Sequence, residues 1–145
     1  MFTFKVVFAF FFSFLFCGAD KSKNSLEDEV LLAKRYQMEC IEETRVDPDI
    51  ITKIKARSWN IPYSSLHLVK NWALCVMMKR GLMTKEGVYK LDIALKMVPR
   101  DERDAAEKII DSCLSQKAIP AEDIALNFIQ CYQKTRANYT VSIFI

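Results

Sequence analysis

Few residues of this chain could carry out chemistry, and the cysteines are the most informative of them. The 145 residues include five cysteines and a single histidine, His67. The cysteines are Cys17, Cys40, Cys75, Cys113 and Cys131. The last four are separated from one another by 34, 37 and 17 intervening residues. Structural zinc sites use closely spaced ligand pairs, so this spacing predicts no metal site.

The remaining polar residues do not form a catalytic set. Ser64 and Ser65 precede His67 without the glycine pattern of a nucleophile elbow. The acid-rich runs at 27–29 and 101–104 are typical of helix starts, where the helix dipole favours carboxylates. We therefore expect no catalytic residue, no cofactor and no enzymatic activity. His67 is expected to be an ordinary polar residue, with a pH-sensing role as the alternative.

The first 19 residues have the layout of a secretory signal peptide. A basic start at Met1–Lys5 precedes the apolar run Val6–Phe16, small residues stand at Gly18 and Ala19, and the chain turns polar at Asp20. An uncleaved membrane anchor is the alternative, but such a helix needs about 20 apolar residues. We expect a signal at 1–19, a domain at 20–145, secretion, and no membrane insertion after cleavage.

Secretion decides how the four remaining cysteines are interpreted. In an oxidising compartment they are expected to form two disulfides, and their spacing permits three pairings. Buried free thiols are the alternative, since cysteine packs as a small apolar residue. Removing the signal takes away Lys5 and changes the net charge from +3 to +2. A charge so close to zero gives no reason to expect nucleic acid or an anionic membrane as a partner.

The elements that must position these cysteines are helices. Glycine and proline are too scarce for the many turns of a β-sandwich or barrel. Ser25 is predicted to cap a first helix, and the Asp47–Pro48 pair predicts the start of a second. A third is predicted from Ser65 to Arg80, ended by Gly81.

Three further helices follow from the same reasoning. Thr84 is predicted to cap the fourth, which Pro99 stops. Asp101 is predicted to cap the fifth, and Pro120 to open the sixth. The apolar positions of these helices recur at helical spacing: Val88, Leu91, Ala94, Leu95 and Val98 in the fourth; Ala105, Ala106, Ile109, Ile110, Cys113 and Leu114 in the fifth; Ile124, Phe128, Cys131 and Tyr132 in the sixth.

With its signal, helices and cysteines, the chain resembles the insect odorant-binding proteins of the pheromone and general odorant-binding type. That family has six short helices and six cysteines, the second and third separated by three residues and the fifth and sixth by eight. Cys40, Cys75, Cys113 and Cys131 match the first, third, fourth and sixth. Asn71 and Glu122 then stand where the second and fifth would be. The chain thus looks like the four-cysteine, minus-C subgroup.

The resemblance implies a fold and a disulfide pairing. The fold is all-α, with about six short helices around an apolar cavity. The implied bridges are Cys40–Cys75 and Cys113–Cys131. In the family the two absent cysteines are partners, so their joint loss corresponds to one missing bridge. We expect the contact between the third helix and the start of the sixth to be looser for that reason.

The resemblance also implies a carrier of small hydrophobic ligands such as odorants or pheromones. The residues predicted to line its pocket are Tyr63, Leu66, Trp72, Val76, Met83, Val88, Leu91, Leu95, Ile110, Phe128 and Phe144. Met77, Met78, Met83 and Met97 suit an adaptable wall, with ordinary core packing as the alternative. A membrane chemoreceptor is a further expected partner, and the expected assembly is a monomer or weak dimer.

The end of the chain leaves two alternatives open. The apolar tail 140–145 is predicted either to enter the pocket through Phe144 or to dock outside the bundle. Asn138 is a formal glycosylation site. A different functional class, a secreted interaction protein or effector of venom, saliva or seminal fluid, would use the same helical scaffold for a protein partner.

Overall fold

A computed structural model describes residues 20–114 and 117–135, with side chains from residue 27 onward. Helices and turns account for the fold of this part of the chain, which confirms the predicted all-α class. The six helices are α1 (Asp20–Thr44), α2 (Pro48–Lys55), α3 (Leu66–Lys79), α4 (Leu91–Lys96), α5 (Arg103–Cys113) and α6 (Ala121–Thr135). Short 3₁₀ turns at Tyr63–Ser65 and Arg100–Glu102 precede α3 and α5.

Across the described residues, no helix has the length and apolar character to span a membrane. The predicted signal at 1–19, the tail 140–145 and the Asn138 site lie outside the described residues.

The first two helices follow their sequence signals to different degrees. α1 begins at Asp20, so Ser25 lies inside the helix and does not cap it. The acid-rich run 27–29 therefore lies inside the helix rather than at its start. α2 begins as predicted, because the Asp47 carboxylate accepts a hydrogen bond of 2.9 Å from the backbone N–H of Asp49. Pro48 occupies the first turn, where its missing N–H costs nothing.

The predicted cap at Thr84 is wrong, and the fourth helix is shorter than expected. Residues 82–90 form a turn in which the Val88 N–H donates to the Thr84 hydroxyl at 3.1 Å. That side-chain bond offers the backbone an alternative to a helix. Gly87 has a φ of +89°, and a Cβ there would lie 2.9 Å from Ile124 Cδ1, so both conformation and space require glycine. Val88 points outward and is 61% exposed.

The predicted cap at Asp101 is also wrong. Asp101 lies within the 3₁₀ turn that the Glu102 N–H closes onto the Pro99 carbonyl at 3.0 Å, and α5 begins only at Arg103. The shift leaves Ala105 exposed, whereas Ala106, Ile110 and Cys113 form the buried face. α6 agrees with its prediction, because the N–H groups of Asp123 and Ile124 donate to the Pro120 carbonyl.

The core is built around α3, which packs against α1 on one side and α6 on the other. Trp72, Val76 and Met77 of α3 are fully buried. The two disulfides are Cys40–Cys75, which joins α1 to α3, and Cys113–Cys131, which joins α5 to α6. The implied pairing is therefore confirmed.

A buried glutamine ties the α2 end of the bundle to α6. The Gln133 side-chain oxygen accepts from Trp59 Nε1 at 2.7 Å, and its nitrogen donates to the Ile54 carbonyl at 2.9 Å. Each of these groups would cost stability if it were buried without a partner. Gln133 thus fixes the loop after α2, although nothing in its sequence context marks it as a core residue.

An ion pair occupies the place where a third disulfide would stand. Lys70 of α3 and Asp123 of α6 pair at 2.5 Å, and each is next in sequence to one of the aligned positions, Asn71 and Glu122. Both side chains are about a quarter exposed, so the pair adds little stability. The contact between α3 and the start of α6 therefore depends mainly on apolar packing.

We expect the double variant Asn71→Cys, Glu122→Cys to form a third bridge. Closing a loop of this length should raise the free energy of unfolding by up to about 4 kcal/mol. Mass spectrometry under non-reducing conditions detects the bridge, and urea unfolding measures its effect. The matched control is Asn71→Ser, Glu122→Ser. Finding both new thiols free while the two natural bridges are intact would contradict the alignment.

Candidate functional site

A cavity of about 130 Å³ lies between the middle of α1, the end of α3 and the residue that follows α4. We call it the α1–α3 cavity. It is lined by Glu29, Leu32, Ala33, Tyr36, Lys79, Arg80 and Met97. The α1 residues share one face because they are three and four positions apart. The wall thus combines aliphatic side chains with a few charged groups, as ligand pockets typically do.

Arg80 is the unusual member of this lining. It follows α3 directly, and its Nη1 atom is buried without a hydrogen-bond partner among the described residues. Its Nη2 atom faces the Met97 sulfur at 3.8 Å, which is a weak contact. Burial lowers the pKa of Arg80, and the charge of Glu29 opposes that effect. The guanidinium keeps its charge because its ordinary pKa is so high.

Lys79, the neighbouring cation, is in a different electrostatic situation. Its ammonium pairs with Glu39 at 3.1 Å and with Glu43 at 2.7 Å, both on α1. Hydrogen bonds to these two carboxylates raise the pKa of Lys79. Its charge is therefore matched within the protein, whereas no described carboxylate lies within ion-pair distance of Arg80.

Tyr89 is not part of the cavity lining, but it is electrostatically close to Arg80 and packs on the core. Its hydroxyl is buried without a hydrogen-bond partner among the described residues, and burial raises its pKa. Arg80 lies near enough to affect that pKa in the opposite direction. The Tyr89 ring packs on Phe128 with centroids 4.6 Å apart, and Phe128 stacks on Tyr132 at 5.8 Å. A row of aromatic rings thus leads inward from the polar groups.

A second cavity, of about 280 Å³, lies at the start of α3 and is lined by Tyr63, Leu66, His67 and Lys70. It is a surface feature, since Tyr63 is 91% exposed and His67 is exposed too. With one aliphatic side chain in its wall, it offers little apolar area to a hydrophobic ligand.

The residues predicted to line a pocket fall into distinct groups in the structure. Seven of the eleven belong to the core or pack against it without lining either cavity. Tyr63 and Leu66 line the second cavity, Val88 is exposed, and Phe144 lies outside the described residues. The buried members are Trp72, Val76, Met83, Ile110 and Phe128, and the half-buried ones are Leu91 and Leu95.

The charged residues that line the α1–α3 cavity were not predicted from the sequence, and only some of the apolar ones were. Of the methionines proposed for an adaptable wall, Met97 lines the α1–α3 cavity, whereas Met77 and Met83 belong to the core and Met78 is exposed. Arg80 was overlooked because a cation at a helix end is usually explained by the helix dipole. The four-residue spacing of Leu32 and Tyr36 on α1 was a usable signal for the facing wall.

The described side chains offer hydrogen-bond donors and apolar surface but no reactive constellation. Within residues 27–114 and 117–135, no group of three His, Cys, Asp or Glu side chains is placed to hold a metal ion. All four described cysteines are in disulfides. The arrangement is suited to binding an apolar molecule with a polar end.

Comparisons with known proteins agree with this description. The model of the PBP/GOBP family matches residues 22–135. The crystal structure of a medfly odorant-binding protein is similar, with 26% sequence identity and a TM-score of 0.56 over 71% of this chain and 86% of that one. No curated protein matches the sequence.

Proposed function

This chain belongs to the PBP/GOBP family, and on that premise we propose that it is a secreted carrier of small hydrophobic ligands. The ligands would be odorants, pheromones or similar semiochemicals, and the protein would perform no chemistry on them. The family match over residues 22–135 carries the proposal. The similar medfly structure, named an odorant-binding protein, supports it.

We place ligand entry at the α1–α3 cavity. Its 130 Å³ is small beside the roughly 300–1,000 Å³ of pockets for drug-sized ligands. A larger ligand would therefore have to extend inward, past Tyr89 towards Phe128, with rearrangement of the adaptable Met97 side chain. The predicted pocket residues Trp72 and Leu95 would be reached only by such an extension. Affinity would come from desolvation, at roughly 25 cal/mol for each Å² of apolar area buried.

The remaining parts of the proposal concern the protein's surroundings. Secretion rests on the predicted signal at 1–19, and a monomer or weak dimer that delivers its ligand to a membrane chemoreceptor is the proposed working state. The second candidate, a secreted effector with a protein partner, draws support from apolar side chains on the outer face of α1. Leu31 and Met38 there are 62% and 65% exposed.

Displacement of a fluorescent hydrophobic probe tests the carrier function. The oxidised chain 20–145 should bind N-phenyl-1-naphthylamine saturably, and volatile alcohols, esters and acids should displace it. Lys85→Ala, at an exposed position that lines neither cavity, is the control and should leave the affinities unchanged. Absence of saturable probe binding, with the protein folded and both disulfides formed, would reject the carrier function and favour a protein partner.

A further inference from the structure

We propose that the α1–α3 cavity is specific for apolar carboxylic acids, whose carboxylate Arg80 binds. This inference rests on the proposed carrier function and specifies the class of ligand. It starts from the one lining residue with an unmet bonding requirement: Arg80 Nη1 is buried and has no hydrogen-bond partner among the described residues. A buried donor without an acceptor is costly, and the cost is larger when the group is charged.

The charges around Arg80 favour an anionic partner over a neutral one. A neutral ligand oxygen would accept the hydrogen bond but would leave the positive charge uncompensated. A carboxylate accepts the hydrogen bond and also compensates the positive charge, and its two oxygens match the planar guanidinium. Lys79 does not compete for it, because Glu39 and Glu43 already pair with that ammonium.

Glu29 is the acid that limits this preference. It lines the same cavity, and its charge acts on Arg80, but it forms no ion pair with it. A ligand carboxylate next to Arg80 would be repelled by Glu29 across the cavity. Since Glu29 is exposed, water screens that repulsion more than it weakens a contact at the buried Nη1 atom of the partly buried Arg80.

The inner end of the cavity suits the apolar part of such an acid. The Tyr89 hydroxyl, also buried and without a partner among the described residues, does not line the cavity but is close enough to Arg80 for the two groups to affect each other electrostatically. Beyond it, the Tyr89 ring packs directly on Phe128 in the core. A head group held by Arg80 would leave its hydrocarbon chain in contact with Leu32, Ala33 and Met97.

The test compares three ligands of equal chain length: decanoic acid, decanol and methyl decanoate. In probe displacement at neutral pH, the wild-type protein should bind the acid more tightly than the other two. Arg80→Met should lower the affinity for decanoic acid by roughly tenfold or more, the factor expected for a charge-assisted hydrogen bond. The same substitution should change the affinity for decanol by less than about threefold, since a neutral hydrogen bond contributes less. Arg80→Lys, which keeps the charge, should restore part of the preference.

A second variant keeps the inference testable should Arg80→Met fail to fold. Glu29→Gln removes the opposing charge at an exposed position, and should strengthen decanoic acid binding by about threefold, more than it changes decanol binding. Equal affinity of the wild-type protein for all three ligands would overturn the carboxylate preference and leave the carrier function intact. Failure of every ligand and of the probe to bind would overturn both.

Discussion

Replacing Cys40 and Cys75 together by alanine is expected to lower the free energy of unfolding by about 3–4 kcal/mol. The bridge joins residues 35 positions apart, and loop closure in the unfolded chain gives a stabilisation of this size. A domain of this length has a total of roughly 5–15 kcal/mol, so the variant should be close to unfolding at physiological temperature. Urea unfolding, followed by the fluorescence of Trp59 and Trp72, measures the loss.

The second bridge provides the matched comparison. The bridge between Cys113 and Cys131, which are 18 positions apart, closes a shorter loop, so replacing both residues by alanine should cost about 3 kcal/mol. Only the first variant should also weaken ligand binding, because Cys40–Cys75 holds α1 against α3, and these helices form the cavity wall. A loss below about 1 kcal/mol for Cys40→Ala, Cys75→Ala would contradict the expectation that the bridge is a main source of stability.

Phe128→Ala is expected to destabilise the protein by about 3–5 kcal/mol, the range for truncating a buried phenylalanine. Phe128 is fully buried on α6 between the rings of Tyr89 and Tyr132. Its removal would leave a hole and take away the support of Tyr89. Chemical denaturation of the folded variant at moderate temperature measures the change.

Phe128→Leu is the control, because it retains most of the apolar volume and should cost about half as much or less. Decanoic acid binding adds an independent measurement. If the ligand chain extends towards Phe128, the hole in Phe128→Ala should accept longer acids than the wild-type protein does. An unfolding free energy within about 1 kcal/mol of the wild-type value would contradict the central position of Phe128 in the core.

The helices could be predicted where the chain carries local backbone signals. Asp47 and Pro48 fix the start of α2 through one carboxylate bond and one fixed φ, and both effects act within a few residues. Thr84 gave the same kind of signal but forms a turn instead. The reason is Gly87, whose positive φ and close packing against Ile124 belong to the tertiary structure. Such a contact cannot be deduced from spacing along the chain.

The candidate site was harder to predict than the fold. Apolar periodicity identifies residues that face inward, and Trp72, Ile110 and Phe128 do so. It does not distinguish a residue that fills the core from one that borders a cavity. Arg80 lines the cavity opposite α1, and Tyr89 packs on Phe128 of α6. Neither placement can be deduced locally, because α1 and α6 are distant in sequence from these two residues. Charge and burial together, rather than hydrophobicity, identify the site.

The order of the cysteines along the chain has a consequence for oxidation and for ligand entry. One bridge encloses residues 40–75 and the other 113–131, so the two closed loops share no residue and neither must thread through the other. Either bridge can therefore form first during oxidative folding. Arg80, Tyr89 and Met97 all lie in the interval between the loops. One side of the cavity is thus covalently anchored through α1 and α3, whereas the side formed by Met97 is held by noncovalent packing and would be the one to yield if a ligand enters by the proposed route.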